Sequence, residues 1–278
     1  MFALMEMSAA QAADVVNVFV SILPQKYLVE RIGGNRVHVE VMVRPGLNAE
    51  TYEPSPHQMA ALSKANIYFR IGVPFESIWM KKISAANPNL WIIDCCHALI
   101  PEGSHYGKED ADDIARHTYD AHVWTSPRNA VHIADIMLSA LTDIDPAAGE
   151  YYERNHAALV HDLDDLDQFI KQQFSSLGNR YLMVAHPSWG HFADAYGLIQ
   201  VPLERHGTEI RPRELSGLVK FANKNNIHTV YIDKQFNSAA ARLLARETGA
   251  RIVVLDPLAE DYINNLKDVT QAIFAGSR

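Results

Sequence analysis

A chain of 278 residues, 48% hydrophobic and 21% charged, has an ordinary globular composition and enough length for one large domain or two modest ones; two lobes are the preferred reading. With 33 acidic against 25 basic residues the formal net charge is −8, which excludes a nucleic-acid partner, since a phosphate backbone needs a basic face. No stretch approaches the roughly 18 apolar residues of a spanning helix, which excludes an integral membrane protein.

The first segment ends in Ala10-Gln11-Ala12, the small-x-small pattern of a secretory cleavage site, so residues 1–13 are read as a signal-peptide remnant and the protein as exported. The segment is short, lacks a basic start and is interrupted by Glu6; a frayed terminus is the alternative. No cysteine stands near the cleavage pattern, which counts against a lipid anchor.

Beyond it, β-rich apolar runs alternate with helical patterns, as in mainly parallel α/β sheets. The first half predicts strands at 15–22, 38–44, 67–72 and 91–94, with helices at 24–32, 57–64 and 74–85 between them. Cys95 and Cys96 end the fourth strand; neighbours on a strand point to opposite faces, so they are read as packing residues and not as a disulfide. The stretch 101–120, with His105 and His117, reads as an exposed polar loop.

A helix starts at Ser126, the N-cap, with Pro127 first in the helix, and runs to about Leu141. From Glu150 to Leu177 there is no Gly or Pro, and apolar residues recur at helical spacing around Leu159, Leu163, Leu166, Ile170 and Phe174. This long helix is read as a spine between two lobes, with a core helix inside one domain as the alternative. The second half predicts strands at 181–185, 199–203, 229–232 and 251–255, and helices at 189–196, 213–223, 238–248 and 262–275. The expected organisation is an N-terminal α/β lobe at 14–146, a linking helix at 147–177 and a C-terminal α/β lobe at 178–278.

In open α/β sheets, ligands bind beyond the carboxyl ends of the strands. Four such places carry metal-binding residue types: Glu50 after the second strand, His122 in Asp120-Ala121-His122-Val123-Trp124, His186 after the strand ending at Ala185, and Asp256 after the strand ending at Leu255. Imidazole and carboxylate together suit Zn²⁺, Mn²⁺ and Fe²⁺, and two carboxylates would cancel the charge of a dication in a closed site. Each residue has a bland alternative: a histidine after a strand is often hydrogen-bonded loop structure, and Asp before Pro is often a turn former.

The strings PGLNAETYEPSPHQM (45–59), DAHVWTSP (120–127), AHPSWGHFADAYGL (185–198) and VVLDPL (253–258), in this order and spacing, resemble the successive motifs of the zinc- and manganese-binding extracellular solute-binding proteins of ABC importers. The likeness covers nearly all of the chain after Asp14. It implies two α/β lobes bridged by a rigid helix, a metal held in the cleft between them, and delivery to a membrane permease, with the protein periplasmic or extracellular and monomeric. By position it makes His122, His186 and Asp256 ligands. Glu50 stands where the family pattern has His; a carboxylate can ligate in its place, which makes the set two His and two carboxylates, the alternative being that Glu50 points away and a water or a nearby His takes the position. That harder set shifts preference toward Mn²⁺ or Fe²⁺, while His186 keeps Zn²⁺ first. His191 is read as supporting or structural. The competing readings are a zinc-dependent hydrolase with Glu53 or Glu209 as base, and a metal-chelate receptor or adhesin of the same architecture, for which Arg205, Arg211 and Arg213 near the second-lobe loops are the candidates but are read as solvated. No HExxH or GxSxG motif announces an enzyme.

Overall fold

The structure, a computed structural model, describes residues 15–99, 120–205, 208–209, 212–236 and 238–277. The readings made for residues 1–13 and for the polar loop with His105 and His117 lie outside the described residues, as do the side chains of Arg205, Glu209 and Arg211.

The first lobe is a parallel four-stranded sheet in the order β2-β1-β3-β4, formed by β1 (Val16–Val20), β2 (Val37–Val41), β3 (Ile67–Arg70) and β4 (Trp91–Asp94). The connecting helices are α1 (Leu23–Gly33), α2 (Pro56–Leu62) and α3 (Pro74–Ala86), each with proline in its first turn, where no backbone N–H is needed. Helix α2 starts where Ser55 Oγ accepts from Gln58 N and Gln58 Oε1 accepts from Ser55 N, a reciprocal cap that ends the loop carrying Glu50. Strand β1 stops short of the expected Ile22 because Gln25 Oε1 takes the Ser21 N–H at 3.0 Å and turns the chain into α1.

Helix α4 (Pro127–Ile144) leads to α5 (Gly149–Phe174), whose 26 residues span roughly 39 Å at the usual rise. The second lobe is a parallel sheet in the order β10-β9-β5-β6, from β5 (Tyr181–Val184), β6 (Ile199–Pro202), β9 (Thr229–Asp233) and β10 (Arg251–Leu255). Helices α6 (Gly190–Tyr196), α7 (Pro212–Lys224), α8 (Ala239–Thr248) and α9 (Tyr262–Gly276) flank it. After β6, where sequence patterning predicts only a loop, stands a small antiparallel hairpin, β7 (Glu204–Arg205) with β8 (Thr208–Glu209).

Strand β5 shows how the lobe is layered. Leu182 and Val184 face a core shared with α5 and the first lobe, while Met183 and Ala185 face a smaller core with Leu215, Ala222 and Leu244 of α7 and α8. The shared core runs unbroken from Phe69 through Leu159, Leu163, Leu166 and Ile170 of α5 to Phe192, Tyr231, Leu255 and Tyr262. Helix α5 packs one face against α1, α4 and α9 together and leaves the other to solvent, so it serves as a spine. Cys95 and Cys96 are buried free thiols, each with its pKa pushed up by burial. Among the described residues, no helix is long and apolar enough to cross a membrane.

Candidate metal site

The carboxyl ends of both sheets and the segment ahead of α4 meet in one cleft. Asp120 folds that segment: its Oδ1 accepts from His122 N at 2.9 Å and lies 2.8 Å from His122 Nδ1. The turn Val123–Thr125 follows, and Trp124, 1% exposed, donates from Nε1 to the Pro257 carbonyl at 2.7 Å while Tyr262 Oη donates to the Trp124 carbonyl at 2.6 Å. These two bonds tie the His122 segment to the chain on the far side of β10. A Cβ on Gly190 would come within 2.3 Å of Asp120 Oδ2, so the start of α6 reaches this segment only because residue 190 has no side chain. His191 supports the same wall, with Nε2 3.0 Å from the Asp120 carbonyl.

His186 leaves β5 directly into the cleft and is 4% exposed. Its Nδ1 lies 3.0 Å from Glu204 Oε2 on the β7 hairpin, and its ring stacks on Phe236 with centroids 4.1 Å apart at 13°. Those contacts fix the position of the ring, and in the neutral ring a proton on Nδ1 shared with Glu204 would leave Nε2 as a lone-pair donor. Nε2 stands 3.3 Å from Glu50 Oε1, a charge-pair separation without hydrogen-bond geometry, and it is buried with no hydrogen-bond partner. The rings of His122 and His186 stand edge to face with centroids 5.3 Å apart.

Glu50, half-buried, is presented by a turn in which Asn48 Oδ1 accepts from Glu50 N at 2.7 Å. Thus the structure brings Glu50, His122 and His186 together. Asp256 it holds aside: Oδ1 accepts from Gln235 Nε2 at 2.6 Å and from Leu258 N at 3.0 Å, and Oδ2 lies 3.4 Å from Lys234 Nζ. Among the described residues no three His, Cys, Asp or Glu side chains are arranged closely enough to grip one ion as they stand.

The electrostatics follow from burial and pairing. At His186 burial disfavours the charged ring, but the Glu204 hydrogen bond and the Glu50 and Asp233 charges outweigh it and raise the pKa above the usual imidazole value. Burial pushes the Asp120 carboxyl up, and the hydrogen bond and charge of His122 more than reverse this, leaving it below its ordinary value. Asp233, 2% exposed, is raised by burial although Ser188 Oγ and Trp189 Nε1 donate to it. Asp120, Glu204 and Phe236, which were not singled out from sequence, hold the two histidine rings in place. Asp120 lies inside a quoted motif, whereas a two-residue strand and a lone aromatic after β9 carry no periodic signal.

Two α/β lobes on a spine helix, with Glu50 and His122 beside His186 in the cleft between them, have the architecture of a solute receptor. A family model described as the periplasmic zinc-uptake complex component A, ZnuA, matches residues 18–276, and the chain belongs to that family. A crystal structure of ZnuA superposes with a TM-score of 0.87 at 37% identity, covering 95% of this chain and all of that one. A zinc-bound ZnuA deletion mutant gives 0.86 at 38% identity, over 95% of this chain and 98% of that one. The high-affinity zinc uptake system protein ZnuA of Bacillus subtilis strain 168 is 25% identical over 259 residues, 90% of this chain and 81% of the relative. The protein is accordingly a periplasmic metal-binding receptor subunit of an ABC importer, a transport component and not an enzyme.

Proposed function

We propose that the chain captures Zn²⁺ with Glu50, His122, His186 and Asp256, and hands it, as a monomer, directly to the membrane permease of its importer. The observation that carries this reading is the buried, unpartnered Nε2 of His186, which faces Glu50 beside the ring of His122. An imidazole nitrogen removed from water without a donor is costly unless a cation or proton takes its lone pair. The cargo ion would take that lone pair, and Glu50 and Asp256 would cancel its charge.

The lobes we assign to residues 14–146 and 178–278, joined by a helix at 147–177, would each supply two ligands or the segment leading to them. Asp256 completes the set only if Lys234 and Gln235 release it, so capture involves a shift of the turn after β9. One carboxylate, Glu50, in place of the family's extra histidine makes Mn²⁺ and Fe²⁺ the next candidates, and the Irving–Williams order keeps Zn²⁺ ahead of both.

Competitive titration of Zn²⁺ and Mn²⁺ against a chromogenic chelator tests this. One equivalent of Zn²⁺ bound more tightly than Mn²⁺, with binding lost in His122→Ala and His186→Ala, is the expected result. Retained affinity in both variants would refute the ligand set.

A further inference from the structure

We propose that Lys234 is a built-in competitor for the cargo ion: its ammonium holds Asp256 in place of a metal, and capture and release exchange one cation for the other. This rests on the reading of Asp256 as a ligand. The contact is a consequence of register. Strands β9 and β10 are parallel with Leu255 opposite Asp233, and Lys234 N donates to the Leu255 carbonyl at 2.9 Å, so the residues that follow the two strands stand side by side. Lys234 Nζ then lies 3.4 Å from Asp256 Oδ2, and Gln235 Nε2 2.6 Å from Oδ1.

The ammonium does for this partly buried carboxylate what a dication would do, but more weakly. Lys234 is 62% exposed against 20% for Asp256, so the pair is screened and the lysine returns to water at little cost on its flexible stem. An ion that binds the carboxylate directly displaces it, yet must first undo the pair, and the freed ammonium stays nearby to reclaim Asp256 when the ion leaves. A second observation marks the arrangement as poised: Gln235 Oε1 is buried with no hydrogen-bond partner, so the turn leaves a polar atom unsatisfied while it holds Asp256.

The residues on either side of Lys234 and Gln235 reach the His186 segment. Asp233 is anchored by Ser188 and Trp189, which follow His186, and Phe236 stacks on the His186 ring. Movement of Lys234 and Gln235 off Asp256 is therefore mechanically joined to the wall that orients His186. Lys234 raises no barrier to folding that its replacement would expose, because its stem is largely in solvent.

The test is a double-mutant cycle on the whole chain, with Zn²⁺ affinity from chelator competition and release followed by stopped flow into excess EDTA. Lys234→Met is expected to tighten Zn²⁺ binding about three- to tenfold, mainly through slower release, Lys234→Arg to stay near wild type, and Lys234→Met to have no effect in an Asp256→Asn background. If Lys234→Met leaves affinity unchanged or weaker while Asp256→Asn weakens it, the competitor role is wrong and the ligand assignment stands. If Lys234→Met tightens binding equally with and without the Asp256 carboxylate, the lysine acts as a distant charge and the exchange is refuted. If Asp256→Asn binds like wild type, the ligand assignment itself fails and the exchange with it.

Discussion

Glu50 Oε1 of the first lobe lies 3.3 Å from Nε2 of His186 in the second, so one carboxylate and one imidazole already face each other across the cleft. Substituting Glu50 by Ala removes an anionic oxygen from the one place where the buried nitrogen looks. The expected loss of Zn²⁺ affinity is about tenfold or more, on the order of 1.4 kcal/mol. Glu50→His should restore binding and widen the preference for Zn²⁺ over Mn²⁺, since imidazole is the softer donor. Calorimetric titration with both metals reads the two effects; an unchanged affinity in Glu50→Ala removes Glu50 from the ligand set.

Glu204 holds the opposite side of the same ring. With Nδ1 3.0 Å from its carboxylate, His186 keeps Nε2 toward the cleft, and such supporting carboxylates are worth about 10- to 100-fold in metal affinity. Glu204→Ala should weaken Zn²⁺ binding within that range, and Glu204→Gln, which can still accept from Nδ1–H, should lose less. Equal losses in the two variants would argue against an orienting hydrogen bond.

The raised pKa of His186 gives opposite pH dependences without and with metal. Because the folded value exceeds the unfolded one near 6.5, the metal-free protein has this stability in full below about pH 6.5 and loses it as pH rises through the folded value. A metal needs the neutral ring, so the zinc-induced rise in Tm should grow as pH climbs through the same window above 6.5. Scanning calorimetry across that range, with and without Zn²⁺, checks both slopes, and His186→Gln should flatten the metal-free one.

Much of this arrangement was legible in the residues themselves. Gly- and Pro-free spacing from Glu150 onward announced α5, and of the four residues that the loop motifs singled out, Glu50, His122 and His186 stand near one another while Asp256 is held aside by Lys234 and Gln235. Strand ends were legible only to within a few residues, because side chains such as Gln25 compete for backbone groups where strands become turns. Glu204 and Phe236 were not legible: a hairpin of two-residue strands shows no alternation, and a single aromatic after β9 looks like ordinary packing. Lys234 was hidden for another reason. Its meeting with Asp256 follows from which strands are neighbours, and periodicity does not encode neighbours.

Trp124 joins the His122 segment to the far side of the cleft through a buried bond to the Pro257 carbonyl. Trp124→Phe keeps an aromatic ring but orphans that carbonyl, at a cost of about 1–3 kcal/mol. Urea denaturation should show the lower midpoint with an unchanged slope, and Zn²⁺ affinity should fall as His122 loses its anchor. A midpoint equal to wild type would mean the bond contributes nothing net.

The central claim is that two imidazoles and two carboxylates from opposite walls of the cleft meet on one ion. Anomalous diffraction at the zinc edge, from crystals of the zinc-loaded chain, measures this directly. The account predicts one strong peak at about 2.0–2.2 Å from Nε2 of both His122 and His186 and from carboxylate oxygens of Glu50 and Asp256, with Lys234 turned away. A zinc peak that leaves either histidine unbound would contradict it.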